Sequence, residues 1–368
     1  MQNDLNVLYI FISGRESRIN NLESPQEFLY GYNSLKSVCK EVKYIEFSKK
    51  NNYIITFFSK FLRKISGLPI FPEYLLKISN LKIFLKSQVI ICTNQRVAFS
   101  FLIIYSMLRI FQNKKMEVFI MGLLDVTHNS KIKNFIRNFL IKYLFFISDK
   151  LIFLGKSEFE FAKKNFNKYS SKYFFIPFSV DTNFWKPKLN LRKSNKNILF
   201  IGNDGKRDFN FLEELINFRT DLSFNVLSTK ANNLTDYKNV FLFNGSFNSI
   251  DLSDEEVREL YYSSYLTIIP IVDTLQPSGQ SVALQSIACG TPVLISNYRG
   301  FWDYENLREN ENIFFEENDL LKWSNKIDQI LKNEKEYDLV VNNGYKVIEN
   351  IYSNKIFDKK IKNLLFPN

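Results

Sequence analysis

The sequence predicts two successive doubly wound α/β domains, and three observations carry that expectation. The chain has 368 residues, more than a single hydrophobic core usually accommodates. Short apolar runs alternate with helical segments in both halves, the pattern of parallel sheets covered by helices. The alternation breaks once, at "SVDTNFWKPKLNLRKSNKN" (179–197). There Pro, Asn and charge replace periodicity and mark an interdomain linker.

The first domain is expected over residues 1–187. "NVLYIFIS" (6–13) reads as a buried strand that ends at Ser13-Gly14. "PQEFLYGYNSLKSVCK" (25–40) reads as helix and "EVKYIEF" (41–47) as the next strand. "SQVIICTN" (87–94) and "MEVFIMG" (116–122) continue the strands, with an apolar helix at 97–111 between them. "DKLIFLG" (149–155), the helical "KSEFEFAKKNF" (156–166) and the strand "YFFIPF" (173–178) close the domain.

The second domain is expected over 188–345. "NILFIGNDGKRDFNFLEELI" (197–216) restarts strand, Gly loop and helix. The strands "LSFNVLS", "NVFLFN", "YLTIIPIV" and "TPVLIS" follow, and the C-terminal part reads as helices only. Residues 346–368 are expected to form a helix that packs back toward the first domain. Ligands of such sheets bind beyond the carboxyl ends of strands, so a crevice between the domains is the expected site.

Composition removes several classes. Cys39, Cys92 and Cys289 are far apart and form no CxxC pair, which argues against a disulfide framework or a zinc site and fits a reducing, cytoplasmic setting. The N-terminus lacks the basic region and cleavage site of a signal peptide. "VAFSFLIIYSMLRIF" (97–111) contains Arg109 and falls short of the roughly 20 residues of a spanning helix, so no transmembrane segment is expected. His128 is the one histidine. Multi-His metal sites are therefore excluded, and no metal is expected.

The net charge of +11 is unevenly placed. Residues 1–187 hold 28 Lys and Arg against 13 Asp and Glu, a balance of +15, and the remainder stands at −4. A basic half suggests an anionic partner. "FFSKFLRKISGLPIFPEYLLKISNLKIFLK" (57–86) mixes basic and aromatic residues. "KIKNFIRNFLIKYLFFI" (131–147) carries an apolar helical stripe at 132, 135, 136, 139, 140, 143, 144 and 147, with Lys131, Lys133, Arg137 and Lys142 off it. Such stripes are either ordinary core with a solvated rim or a face for an anionic membrane. No nucleic-acid-binding signature accompanies the charge, and no nucleic acid is expected.

"QPSGQSVALQSIACGTPVLIS" (276–296) carries the most chemistry. A Ser/Gly loop leaves a strand and enters a helix near Ser281, which stops at Gly290 before Pro292. The first amides of a helix lack intrahelical partners and lie at its positive end. The loop lets an anion approach them, which invites phosphate or diphosphate. Ser278 and Ser281 add hydroxyl donors. Gln285 lies about one turn beyond Ser281 on the same face and is placed to reach past the phosphates to ribose hydroxyls. The alternative is a capped helix with a solvated Gln.

The stretch "PSGQSVALQSIACGTPVLISNYRGFWD" resembles the nucleotide-sugar motif of the GT-B glycosyltransferases, in particular glycosyltransferase family 4 (group 1). "SIACGTPV" matches the motif's ending. The family's second glutamate, which holds donor ribose, falls on Gln285; the first falls on Pro277. The amides of its GFG-type turn fall on Ser278, Gly279 and Gln280. "DKLIFLGKSEFEFAKKNF…YFFIPFSVDTNFWKP" resembles the stretch joining the two family domains. In "NILFIGNDGKRDFNFLEELI" the resemblance puts Gly202 at the loop, Arg207 in the place of the diphosphate-binding Lys, and Lys206 or Asn203 in that of the Arg.

The resemblance implies a GT-B fold, two Rossmann-like domains facing a central cleft. It implies transfer of a sugar from a nucleotide diphosphate sugar to a hydroxyl on a glycan or lipid-linked acceptor, with retention and without a metal. Synthesis of cell-surface polysaccharide, lipopolysaccharide or glycolipid fits, at the inner face of the cytoplasmic membrane. Arg207 and Lys206 would stabilise the departing diphosphate; the alternative is that Arg207 is a surface charge paired with Asp204 or Asp208. His128, after a strand of the first domain, would sit near the transferred sugar. Gly14 would let a diphosphate or acceptor approach the backbone. The replacement of both glutamates keeps an alternative open, a non-catalytic nucleotide-sugar-binding or scaffold protein.

Overall fold

The computed structural model describes residues 3–48, 53–126, 128–188, 196–246, 249–250 and 252–367. The chain forms two compact units. Unit 1 comprises residues 1–21, 28–176 and 358–368, and unit 2 comprises 22–27 and 177–357.

Unit 1 is built on six parallel strands: β1 (Asn3–Phe11), β2 (Cys39–Glu46), β3 (Val89–Cys92), β4 (Lys115–Ile120), β5 (Lys150–Phe153) and β6 (Tyr173–Phe175). Their spatial order is β2-β1-β3-β4-β5-β6. The helices are α1 (Glu16–Asn20), α2 (Tyr32–Leu35), α3 (Tyr53–Ser66), α4 (Ile78–Lys86), α5 (Gln95–Phe111), α6 (Lys131–Ile147) and α7 (Lys156–Asn165). From β2 onward the strand order runs one way across the sheet. Right-handed crossovers therefore put α3 to α7 on one face. The inner strands are predominantly apolar, as sheets buried on both faces require, whereas the edge strand β2 carries charged residues. Leu8, Ile10, Ile90, Val118 and Phe153 are fully buried.

Unit 2 repeats the plan with β7 (Asn197–Ile201), β8 (Ser223–Leu227), β9 (Val240–Phe243), β10 (Gly245–Ser246), β11 (Ser249–Ile250), β12 (Leu266–Ile269), β13 (Val293–Ser296) and β14 (Phe314–Glu316). Its six-stranded sheet runs β14-β13-β12-β7-β8-β9, and β10 and β11 form a small separate pair. The helices are α8 (Phe209–Phe218), α9 (Asp254–Ser263), α10 (Gln280–Ala288), α11 (Leu320–Lys332), α12 (Glu334–Val347) and α13 (Asn354–Leu365). In both sheets the order reverses beside the first strand, between β1 and β3 and between β7 and β12. No helix among the described residues is long and apolar enough to cross a membrane.

Four details differ from the sequence reading. The helix expected over 25–40 is broken into a short 3₁₀ turn (Glu27–Leu29) and α2, because Tyr30 and Gly31 take positive φ (50° and 83°). Residues 22–27 and 177–187, expected in the first domain, cluster with unit 2, and of residues 346–368, expected to pack toward the first domain, only those from 358 cluster with unit 1. There Ile361 and Asp358 lie against Gly31. β14 was not marked by the sequence, since three residues carry no readable period.

The stripe on α6 is also divided. Leu144 and Ile147 are buried, but Ile132, Phe135 and Phe139 are exposed. Arg137, expected off the stripe, is buried instead: it donates to the carbonyls of Leu123 (2.7 Å) and Gly67 (3.3 Å). Two carbonyl acceptors at a helix flank hold the guanidinium in, and the aromatic rings turn out.

Candidate functional site

The reversal point of unit 2 collects most of the predicted residues. The loop after β7 carries Gly202 to Arg207, and the loop after β12 leads into α10. The two loops are laced together by backbone bonds. Val272 donates to the Lys206 carbonyl (3.0 Å) and Asp208 to that of Pro270 (3.0 Å), with an antiparallel bridge between Arg207 and Ile271.

Arg207 is buried, its side chain 3% exposed. One guanidinium nitrogen meets Asp204 Oδ2 at 2.8 Å and Nε donates to the Ile201 carbonyl (3.4 Å). Asp204 also accepts from the Lys206 amide (2.9 Å), which closes the turn. Gly202 lies under the arginine: a Cβ there would come within 2.4 Å of Arg207 Nε. The glycine predicted for close ligand approach is thus required first by its own neighbour. Lys206 is half-buried.

Asn203 serves the loop itself. Its Oδ1 accepts from Thr229 N (2.7 Å), Thr229 Oγ1 (2.9 Å) and Ser228 Oγ (3.0 Å), and its Nδ2 donates to the Gly245 carbonyl. Four bonds clasp the loops after β7, β8 and β9, so the side-chain oxygen is fully engaged within the protein.

Helix α10 starts from Gly279, whose φ of 80° is left-handed. A Cβ at this position would meet Ile269 Cγ2 at 2.9 Å and Ile271 Cδ1 at 3.1 Å. Glycine therefore sets both the turn and the close seating on β12. Ser286 Oγ donates to the Thr291 carbonyl and pairs with the Thr267 hydroxyl (both 2.8 Å), fixing the helix to β12 and to the turn before β13. Ser278 is buried, and its Oγ meets no partner among the described residues. Its carbonyl accepts from Tyr298 Oη (2.6 Å). Gln280 is buried and Ser281 half-buried. Helix amides, a buried unpaired hydroxyl and a buried arginine on the adjoining loop form an anion-accepting corner.

Gln285 is in a different situation from the one expected. It is 9% exposed and its amide is engaged at both ends. Tyr261 Oη donates to Gln285 Oε1 (3.2 Å), and Gln285 Nε2 donates to Glu27 Oε1 (2.9 Å). Trp185 Nε1 donates to the same Glu27 oxygen (2.9 Å), while Oε2 is buried with no partner among the described residues. Burial pushes the Glu27 carboxyl up to about 7, against the hydrogen bonds from Gln285 and Trp185. The segment is anchored by Gln26 N, which donates to Asp181 Oδ2 (3.1 Å). Sequence reading missed Glu27, which lies 258 residues from Gln285. It falls inside the helix expected over 25–40, and no local signal set it apart.

Two predicted residues lie in unit 1. His128 is half-buried, and its backbone is clamped by Asn134, which accepts from His128 N (2.8 Å) and donates to its carbonyl (2.6 Å). Nε2 packs against Gly67 with no partner among the described residues. Desolvation, then Lys133 and Arg137, lower its pKa, which favours neutral imidazole. Gly14 has φ 88° and is exposed. The amides that follow are already taken: Arg15 N and Glu16 N (3.0 Å) both donate to Glu46 Oε1. A carboxylate of the protein holds the anion position expected there. In the same unit the loop after β4 is fixed by buried Glu158, which accepts from Gly122 N (2.7 Å) and Leu124 N (2.8 Å).

Comparison with known proteins agrees with this architecture. Residues 238–347 match the family model described as glycosyl transferases group 1. Sucrose-phosphate synthase from Thermosynechococcus elongatus is similar over 98% of both chains, with 13% identity and a TM-score of 0.70. A glycosyltransferase from Rickettsia africae covers 100% of both chains at 13% identity and a TM-score of 0.65. HepE of Anabaena, solved in complex with UDP and glucose, covers 99% of this chain and 100% of its own at 10% identity and a TM-score of 0.67. No curated protein sequence matches the chain. Unit 2 thus contains a segment, residues 238–347, similar to the group 1 glycosyl transferases, and both units share the GT-B fold of the solved structures.

Proposed function

We propose that the protein transfers a sugar from a nucleotide diphosphate sugar to a hydroxyl acceptor. The observation that carries the reading is the corner between the β7 and β12 loops. Buried Arg207, the first amides of α10 and the unpaired Ser278 hydroxyl belong to adjoining loops at the carboxyl end of the two central strands. As the glycosidic bond breaks, negative charge builds on the departing diphosphate. Preorganised donors that are already out of water stabilise that charge without reorganising. Arg207 is fixed by Asp204, so its planar fork is held in place before substrate arrives. Lys206 contributes a second cation on the same turn. Complexes of HepE contain UDP and UDP-glucose, which supports a uridine nucleotide as the first donor to test. Neutral His128 is suited to donate to or accept from the sugar or acceptor hydroxyl. Retention of configuration and independence from divalent metal belong to the same proposal. They are tested by the anomeric form of the product and by turnover in EDTA.

The decisive experiment is a thermal-shift titration with UDP, GDP, ADP and CMP, followed by turnover of the matching sugar donors. Ligand binding to the native state raises the midpoint by mass action. Arg207→Ala is expected to lower turnover by about 10²–10³-fold with an intact fold; near-normal turnover would remove Arg207 from the mechanism. A second reading, a nucleotide-sugar-binding protein without turnover, is favoured by one observation: the Gln285 amide is already engaged by Glu27 and Tyr261. A midpoint shift without turnover of any donor would select it.

A further inference from the structure

Helix α3 of unit 1 presents its apolar side outward, and α5 and α6 expose part of theirs. On α3, Tyr53, Ile54, Phe57, Phe58 and Phe61 are exposed, Phe57 by 70%. The inward side of the same helix consists of buried Ser59 and Ser66, with Leu62 against the core and Arg63 donating to the Ile70 carbonyl. This is the reverse of an ordinary surface helix, which buries its apolar stripe. On α6, Ile132, Phe135 and Phe139 are exposed, and on α5 Met107, Ile110 and Phe111. Both α3 and α5 pack against α6, and crossover handedness sets all three on one side of the sheet. Isolated exposed apolar residues need no explanation, but a patch of this extent on a monomer marks a contact surface.

Charge identifies the occupant. Helices α3, α4, α5 and α6 contain no Asp or Glu at all. Lys60, Lys64, Lys82, Lys86, Lys131 and Lys142 are exposed on them. Aromatic and aliphatic side chains interleaved with lysines, with no carboxylate to repel anionic headgroups, fit the interface of an anionic bilayer. The rings enter the acyl boundary and the lysine stems reach up to the headgroups. A second copy of the chain would bring the same carboxylate-free surface against itself, and like charge opposes that.

We propose that α3, α5 and α6 form a membrane-docking face that inserts Phe57, Phe58, Phe61, Phe135 and Phe139 into an anionic lipid surface. The role it would serve, bringing a lipid-borne acceptor to the donor site, rests on the glycosyl-transfer reading. Docking itself is measured without turnover, so the two fail separately.

The test is flotation of the full chain with phosphatidylcholine vesicles, with and without phosphatidylglycerol, at low and high salt. Binding is expected only with phosphatidylglycerol and is expected to weaken as salt screens the lysines. Phe57→Ser/Phe58→Ser should lower partitioning by about 10-fold or more, and Lys60→Glu/Lys64→Glu should abolish the preference for anionic lipid. All four side chains are exposed or on an exposed face, so unchanged melting of both variants is the folding control. Equal partitioning of wild type and Phe57→Ser/Phe58→Ser overturns the proposal. So does a dimer in light scattering that dissociates in that variant, or binding to a DNA duplex in place of vesicles.

Discussion

At the residue scale, the candidate site depends on side chains that position one another. Arg207 owes its place to Asp204 and to the missing side chain at Gly202. Gly202→Ala is expected to displace the guanidinium and to reduce donor turnover nearly as far as Arg207→Ala, with little change in melting; steady-state kinetics beside a thermal melt would check this. Glu27 shows the opposite case, a group whose burial the local sequence does not announce. Its carboxyl binds a proton more readily in the folded chain, at about 7, than at its ordinary 4.5. Its contribution to stability is therefore complete below about pH 4.5 and is lost as pH rises through about 7. A change of that size corresponds to at most about 3 kcal/mol. Glu27→Gln should flatten the decline of stability between pH 5 and 8, measured by denaturant midpoints at both values. An unchanged slope would show that Glu27 is not the group responsible.

At the element scale, α10 is the part that the fold prepares most carefully. Its start requires a left-handed residue and leaves no room for a Cβ against Ile269 and Ile271. Gly279→Ala should destabilise unit 2 by roughly 1–3 kcal/mol and weaken nucleotide binding in the same titration. Helix α9 provides a contrast. Ser253 and Glu256 form a reciprocal capping box at its start. Ser253→Ala should cost about 1 kcal/mol and leave nucleotide affinity unchanged, because the cap itself bonds to no site residue and Tyr261 lies at the far end of the helix. The start of α1 shows why a glycine turn before a helix is not enough to define an anion site. Glu46 already satisfies the amides after Gly14, and that carboxylate comes from β2, beyond the reach of local pattern.

At the scale of the whole molecule, each unit buries a carboxyl whose pKa is raised to about 7. Glu158 in unit 1 is also pushed up to about 7 by burial, in opposition to the amides of Gly122 and Leu124 that it holds. The sign is the same as for Glu27, so both units are expected to lose stability as pH rises toward 8. Glu158→Gln and Glu27→Gln should each remove a separate part of that loss, and the double variant should remove both additively. Charge is distributed at this scale too. The basic balance of the first half collects on helices that have no acidic residue, beside aromatic rings that point outward.

The sequence by itself determined the fold class, eleven of the strands along the chain and the basic character of the first half. Those features are local: strand runs, glycine turns and charge counts are read within a few residues. It also marked Arg207, Ser278 and Gly279 as candidates, because a helix start and its neighbouring loop announce their chemistry nearby. Only the tertiary structure decided the fate of side chains whose partners are distant in sequence. Asn203 became a clasp between three strand ends, Gln285 became the partner of a carboxyl from residue 27, and the amides after Gly14 were taken by Glu46. It also decided which side of α3 and α6 faces the core, since a stripe in the sequence gives a helix two distinct faces but does not say which one the sheet will cover. The physical reason is the same throughout: burial and hydrogen-bond satisfaction are settled by everything that packs around a group, whereas sequence pattern reports only its neighbours along the chain.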